Sequence, residues 1–270
     1  MWNTETDTEE RFRNKAIWGS AAAVVLIAVG AFVYFKYYAS PAPQPVVATA
    51  GKPAATGNAP PAIQNPVPTP AEAKPLPPLN ESDQEVRDSL AGLYGPKPVE
   101  AFLNPENIVR HLVATIDNLP RTKVAVELRP VKATPGDTVV ASQGDMTTLS
   151  AANYERYAPF IKVVQGSDPK TLAAVYFRLY PLFQQAYEDL GYPGQYFNDR
   201  LVQVIDNLLE APEVKGPIPL TQPKVFYEYA DPTLESRSAG QKLMIRMGQA
   251  NAAVIKAKLR DFRAEIVRHK

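Results

Sequence analysis

The stretch DPKTLAAVYFRLYPLFQQAYEDL, residues 168–190, decides the fold, because its apolar side chains recur at the spacing of one face of an α-helix. That apolar face comprises Leu172, Val175, Tyr176, Leu179, Phe183, Tyr187 and Leu190. Ser167 or Asp168 can cap the N-terminus of this helix, and Pro181 predicts that the helix is kinked or divided. The stretch therefore predicts a long amphipathic helix.

Helical patterns continue on both sides of this stretch. On its N-terminal side, helix starts are predicted at the capping box Ser82–Glu85, at Asn104-Pro105-Glu106 and near Asn153. On its C-terminal side, helices are predicted between Phe197 and Ala211, after Asp231-Pro232, after Ser238 and after Gly248.

Two regions differ from this helical pattern. Residues 121–149 contain turn signals such as Gly144-Asp145 around the β-branched run Thr138-Val139-Val140, which predicts a small hairpin. Residues 212–223 are predicted to be loop, and residues 224–229 alternate like a short strand. The fold class is therefore mainly α, a multi-helix globular domain with a small β-hairpin or short strands.

A hydrophobic segment near the N-terminus predicts a transmembrane helix at residues 16–38. Residues 16–35 carry no charge, and at ~1.5 Å per residue they span about 30 Å, the thickness of a bilayer hydrocarbon core. Trp18 at one end and tyrosines at the other suit the two membrane interfaces. A cleaved signal peptide is the alternative, but bulky aromatic residues occupy the place of a cleavage site.

The charges around this segment predict its orientation. Arg11, Arg13 and Lys15 precede it, whereas only Lys36 closely follows it, so residues 1–15 should stay in the cytoplasm. The rest of the chain would then be exported. We expect a single-pass membrane protein whose C-terminal domain lies outside the cytoplasm.

A proline-rich segment, residues 39–79, is predicted to be a disordered linker to a domain at residues 80–270. Twelve of the 27 prolines lie between Pro41 and Pro78, and residues 39–79 contain no aromatic side chain. Such a segment cannot bury enough apolar surface to offset the entropy of ordering. A docking role for residues 66–70 is the alternative, but a plain spacer is the simpler interpretation.

The composition excludes several kinds of chemistry. The chain has no cysteine, which rules out a disulfide scaffold, a thiolate metal site and a cysteine nucleophile. His111 and His269 are too far apart in sequence to form a ligand pair, so we predict neither metal nor cofactor. Residues 167–170 match the S-x-x-K string of serine acyl-enzymes, but no K-T-G follows and helix capping explains them. No nucleotide-binding fingerprint is present and no nucleic-acid partner is predicted.

One cluster has the side chains typical of a recognition site, and we predict binding there. It consists of Tyr192, Tyr196, Asn198, Asp199 and Arg200. The alternative is a hydrolase of envelope glycan that uses acids near this segment. The candidate acids are Glu188, Asp189, Asp199 and Asp206.

A second candidate surface lies on the last helix. Residues 241–270 carry eight Lys or Arg against two acids, 8 − 2 = +6, although the whole chain has a net charge of +1. An anionic surface could be contacted by Lys256, Lys258, Arg260, Arg263 and Arg268. A solvated helix face is the simpler interpretation.

The segment 182–201, LFQQAYEDLGYPGQYFNDRL, closely resembles the uncharacterised bacterial family called domain of unknown function 3014. Segments 114–120, 152–157, 222–225 and 238–248 are similar to its other signature segments. The resemblance implies a bacterial envelope protein with this anchor, linker and domain, and it carries no catalytic residues. With the predicted orientation, it implies an anchor in a bacterial inner membrane, an N-terminus in the cytoplasm and a C-terminal domain in the periplasm. We therefore expect a non-catalytic binding or scaffolding domain whose partner is an envelope protein or a cell-wall component. The oligomeric state is not predicted.

Overall fold

The structure is a computed structural model that describes residues 62–68, 74–123 and 128–267. These residues belong to one compact unit, which begins at Asn58. After a 3-10 turn at Leu79–Glu81, the first helices are α1 (Asp83–Tyr94), α2 (Pro96–Phe102) and α3 (Ile108–Asn118). A hairpin of β1 (Val140–Gln143) and β2 (Met146–Leu149) follows. The chain continues with α4 (Ala152–Glu155), α5 (Ala158–Gln165), α6 (Pro169–Asp189), α7 (Phe197–Leu209), β3 (Pro219–Thr221), β4 (Glu228–Tyr229), α8 (Pro232–Glu235), α9 (Ala239–Arg246) and α10 (Gln249–Ile266).

The long helix α6 lies at the centre of the helical core. Its predicted start is confirmed, since the Thr171 N–H donates to Asp168 Oδ2 over 2.8 Å. Pro181 lies inside this helix on its exposed side and does not divide it. The buried side of α6 packs against α1, α3, α7 and α10. The wide apolar face seen in the sequence therefore faces four neighbours.

A small antiparallel sheet, ordered β1-β2-β3-β4, packs beside the helices. The predicted hairpin is confirmed, with Val140 opposite Leu149 and Gln143 opposite Met146. The prediction for residues 212–229 was partly wrong: β3 lies in the predicted loop, and the predicted strand shrinks to β4. β3 forms because it finds partners on both sides, β2 and β4, whereas Val225 and Phe226 are 77% and 81% exposed.

The start of α3 differs from its sequence prediction. Asn104-Pro105-Glu106 does not open the helix; its first residue is Ile108. The N–H groups of Asn107 and Ile108 donate to the Asp83 carboxylate over 2.8 Å each, so a residue of α1 caps α3. The Asn104 side-chain Nδ2 instead donates to the Arg129 carbonyl over 2.7 Å.

Parts of the predicted linker lie against the domain. We call residues 62–68 the strap. In the described segments 62–68 and 74–79, Val67 of the strap and Leu76 pack against the helical core. These apolar side chains find a preformed surface, which the composition of the linker alone does not reveal.

The predicted transmembrane helix, residues 16–38, lies outside the described residues, as do the rest of the predicted linker and residues 1–15, which are predicted to be cytoplasmic. Among the helices that the structure describes, none has the length and apolar character needed to cross a membrane.

Candidate functional site

The predicted binding cluster lies at the N-terminal end of α7. Tyr196 precedes the helix, and Asn198, Asp199 and Arg200 lie in its first turn. The structure divides the cluster by its contacts. Tyr196, Asn198 and Asp199, which we call the groove, contact the strap, whereas Tyr192 and Arg200 contact α3.

Asp199 holds the first half of the strap through its carboxylate. Asp199 Oδ2 accepts from the Gln64 N–H over 3.0 Å. Asp199 Oδ1 accepts from the Asn65 N–H over 2.8 Å and from Asn65 Nδ2 over 2.9 Å. Hydrogen bonds to an ionised acceptor are stronger than neutral ones, so this carboxylate is the main polar anchor of the strap.

Asn198 connects the strap to the core and is fully buried. Its Nδ2 donates to the Asn65 carbonyl over 2.9 Å and to the Ile266 carbonyl, at the end of α10, over 3.1 Å. Its Oδ1 accepts from the Tyr176 hydroxyl over 3.0 Å. The side-chain amide therefore uses both donors and its acceptor, which fixes its orientation.

Tyr196 completes the groove. Its hydroxyl accepts from the Val67 N–H over 2.8 Å, and its ring centroid lies 5.3 Å from that of Tyr180. The Val67 side chain packs against the helical core. The strap is thus held by hydrogen bonds along its backbone and by one apolar side chain.

The tyrosines behind the groove keep their protons. Burial raises the pKa of Tyr176 well above its ordinary value, and the neighbouring Tyr180, Tyr196 and Asp199 raise it further. Burial also raises the pKa of Tyr180, although the Asn198 N–H that donates to its hydroxyl opposes the shift. Both hydroxyls are therefore neutral donors across the physiological range.

Tyr192 and Arg200 serve a different contact, with Asp117 of α3. Arg200 Nε donates to Asp117 Oδ1 over 2.8 Å, and the Tyr192 hydroxyl donates to Asp117 Oδ2 over 3.1 Å. Arg121 also pairs with Asp117 Oδ2, at 2.9 Å. The Asp117 side chain is only 2% exposed. These two members of the predicted cluster thus join α3 to α7, through Arg200, and to the loop before α7, through Tyr192.

Two residues of these contacts were missed from the sequence. Asp117 lies four residues after the buried Val113, so its position on the apolar face of α3 was a usable signal. Asn65 lies inside the predicted spacer, and nothing in that composition distinguishes it from the neighbouring polar residues.

The acids proposed for glycan hydrolysis have other partners. Glu188 accepts from Gln184 Nε2 over 2.8 Å, and Asp189 pairs with Arg110 at 2.9 Å. Asp199 holds the strap. In the part of the chain that the structure describes, no group of three or more His, Asp or Glu side chains could hold a metal ion.

The basic residues of the last helix do not form one outward face. Lys256 is buried, with its Nζ 2.6 Å from the Ala211 carbonyl, and Lys258 Nζ donates to the Ser167 carbonyl over 2.6 Å. Arg263 pairs with Asp206 through two hydrogen bonds of 2.6 and 3.0 Å, which raise the pKa of Arg263. Arg260 is exposed, and Arg268 lies outside the described residues.

The comparisons with known proteins give one match. A search of curated proteins finds no match, and a search of solved structures finds none either. A family model described as "Protein of unknown function (DUF3014)" matches residues 108–263, which include the groove but not the strap. Because this range is more than half of the 270 residues and agrees with the resemblance seen in the sequence, the chain belongs to the DUF3014 family.

Proposed function

We propose that this protein is a binding or scaffolding protein anchored in a bacterial inner membrane, whose periplasmic domain holds a peptide segment without regular secondary structure in the groove. The hydrophobic segment 16–38 and the basic residues before it support the anchor and its orientation. The contacts between groove and strap support peptide binding, since the groove already holds such a segment.

The groove recognises mainly the backbone of its occupant. It accepts from the N–H groups of Gln64, Asn65 and Val67, and it donates to the Asn65 carbonyl. Pro66 has no N–H, so the main-chain donors from Gln64 to Val67 are all satisfied by the groove. Backbone contacts of this kind supply affinity, and side-chain contacts supply specificity.

Two side chains of the strap give the specificity. The Asn65 amide donates to Asp199, and Val67 packs against the core. The groove therefore suits a segment with asparagine, proline and an apolar residue in succession that bends at the asparagine, as the strap does. Either the strap itself or a partner segment of the same chemistry can occupy it.

A non-catalytic role is supported by the acids around the groove. Asp199 accepts three hydrogen bonds from the strap, and Asp189 and Asp206 are paired with arginines. A glycosidase needs one carboxylic acid to donate a proton and a second carboxylate across the scissile bond. These contacts favour binding over hydrolysis.

A titration with a peptide tests the groove. A labelled peptide of residues 62–68 is added to the full chain carrying Asn65→Asp, which places a carboxylate against Asp199 and removes one donor. Losing a hydrogen bond to a charged group costs about 1.5–3 kcal/mol, so the free peptide should displace this weakened strap about 10–100-fold more readily than the native one. Fluorescence anisotropy measures both affinities.

The matched control is the same peptide carrying Asn65→Asp, which should bind neither protein. Equal affinity of the native peptide for both proteins, or equal affinity of the two peptides, would count against the groove. A photoreactive side chain in place of Tyr196 then tests, by crosslinking in the cell, whether a partner enters the groove. We expect crosslinks to the strap in the native chain and to one reproducible partner when the strap carries Asn65→Asp; scattered crosslinks would contradict a partner.

A further inference from the structure

A second cavity lies away from the groove, between α10 and the helices α5, α6, α7 and α9. Its volume is about 310 Å³. Apolar side chains form most of its wall, among them Phe160, Val164, Leu172, Met244, Ile255 and Phe262. Ligand pockets begin near 300 Å³. The cavity is partly open to solvent and has the size of a small binding site.

Polar groups gather at one part of the wall. Lys258 Nζ donates to the Ser167 carbonyl over 2.6 Å, and the Ser167 hydroxyl donates to the Val164 carbonyl over 2.7 Å. Burial raises the pKa of Tyr94, although a hydrogen bond with Ser167 opposes the shift, so its hydroxyl remains protonated. An ammonium, a hydroxyl and a phenol therefore line an otherwise apolar cavity.

No carboxylate of the described residues lies within salt-bridge distance of Lys258. Asp168 interacts with Lys258 electrostatically without forming a salt bridge, and its Oδ2 accepts from the N–H and the hydroxyl of Thr171. One carbonyl uses only one of the three donors of an ammonium group. Lys258 can therefore bind an anion at the wall of the cavity.

We propose that this cavity binds a fatty acid. The apolar wall accepts the hydrocarbon chain, whose burial contributes roughly 0.8 kcal/mol per methylene. The carboxylate pairs with Lys258 and accepts from the Tyr94 hydroxyl. A polar ligand would leave most of the wall without partners, and a neutral apolar one would leave Lys258 uncompensated.

Photoaffinity labelling of the full chain tests the site. The protein is extracted in polymer discs without detergent, exposed to a diazirine-bearing fatty acid, irradiated and digested for mass spectrometry. We expect labelled residues to belong to the wall of the cavity. Hexadecanoic acid should suppress the labelling at least tenfold more effectively than hexadecanol, because only the acid carries the charge that Lys258 selects.

Two variants with a control make the test decisive. Lys258→Met keeps the apolar stem and removes the charge, and it should reduce labelling at least tenfold, whereas Lys170→Met, at an exposed position of α6, should not. Leu172→Trp fills the cavity and should abolish labelling while circular dichroism remains unchanged. Labelling elsewhere, equal competition by the alcohol, or labelling that persists in folded Lys258→Met protein overturns the proposal.

Discussion

Gly248 shows how much a single position contributes to this fold. It joins α9 to α10 with a φ of 84°, a conformation that L side chains rarely adopt. A Cβ atom placed on it would lie 2.5 Å from the Tyr154 ring. The Tyr154 carbonyl accepts from Asn251 Nδ2 over 2.9 Å, so α4 is tied to α10 beside this ring. Gly248 is needed both for its backbone and for the space that the ring occupies.

We predict that Gly248→Ala destabilises the protein by about 2–6 kcal/mol. Its backbone conformation, φ 84° and ψ 157°, is essentially restricted to glycine and costs an alanine about 1–3 kcal/mol, and overpacking adds about 1–3 kcal/mol. Gly216→Ala is the matched control, because Gly216 also has a φ of 84° but no atom within 4 Å of its Cβ position. In urea unfolding, Gly216→Ala should therefore lose only the part of the stability that comes from the backbone conformation. Equal losses of stability in the two variants would show that the Tyr154 ring moves aside at no cost in free energy.

The sequence predicted the break at Gly248 but not its partner. A glycine between two helical patterns is a local signal, and the prediction required only the residues around it. The approach of Tyr154 joins positions 94 residues apart, and no local pattern contains that information. The sequence therefore predicted the backbone role of Gly248 but not its contact with Tyr154.

At the scale of elements, the cap of α3 is supplied by another helix. Asp83, in the first turn of α1, accepts from the first N–H groups of α3. Those donors have no partner within their own helix, and a carboxylate at that end also interacts favourably with the helix dipole. One side chain thus stabilises a helix terminus and fixes α1 against α3.

We predict that Asp83→Ala lowers the free energy of unfolding by about 1–2 kcal/mol, the usual cost of losing an N-terminal cap. Asp88→Ala is the matched control, since Asp88 lies in the same helix and accepts only from the exposed Gln84. Chemical denaturation followed by circular dichroism measures both. A loss for Asp88→Ala as large as that for Asp83→Ala would mean that the charge of α1, and not the cap, is responsible.

Helices were better predicted than strands, for a physical reason. The pattern of α6 is local, so its apolar face could be seen within residues 168–190. β3 has three residues and exists because Thr147 pairs with Leu220, far along the chain. Strand pairing between distant residues depends on how the helices pack first. The hairpin was predictable because its two strands and its turn are contiguous.

At the scale of the whole molecule, the structure divides the predicted binding cluster between two contacts. The side chains from Tyr192 to Arg200 are recognition types, and three of them contact the strap. The occupant comes from a segment whose composition resembles a spacer, and only the folded surface distinguishes Asn65 and Val67 from their neighbours. Buried Asp117, on another helix, explains why Tyr192 and Arg200 are not part of the groove.

Helix α7 contributes residues to both the groove and the cavity wall, and a short series of side chains connects the two sites. Asn198 contacts the strap and accepts from Tyr176, whose ring packs edge-on against Phe262 with centroids 5.8 Å apart. Phe262, on α10, forms part of the cavity wall. Two ligands that bind one molecule obey thermodynamic linkage: whatever factor a fatty acid applies to peptide affinity, the peptide applies to fatty-acid affinity.

We expect bound fatty acid to change the peptide affinity of the native chain. In Phe262→Leu, which removes the ring between the two sites, fatty acid should leave the peptide affinity unchanged. Peptide titrations with and without saturating fatty acid measure it, and identical affinities in the native chain would show that the sites are independent. A difference would make the strap responsive to lipid: the amount of free fatty acid would set the fraction of molecules with an open groove.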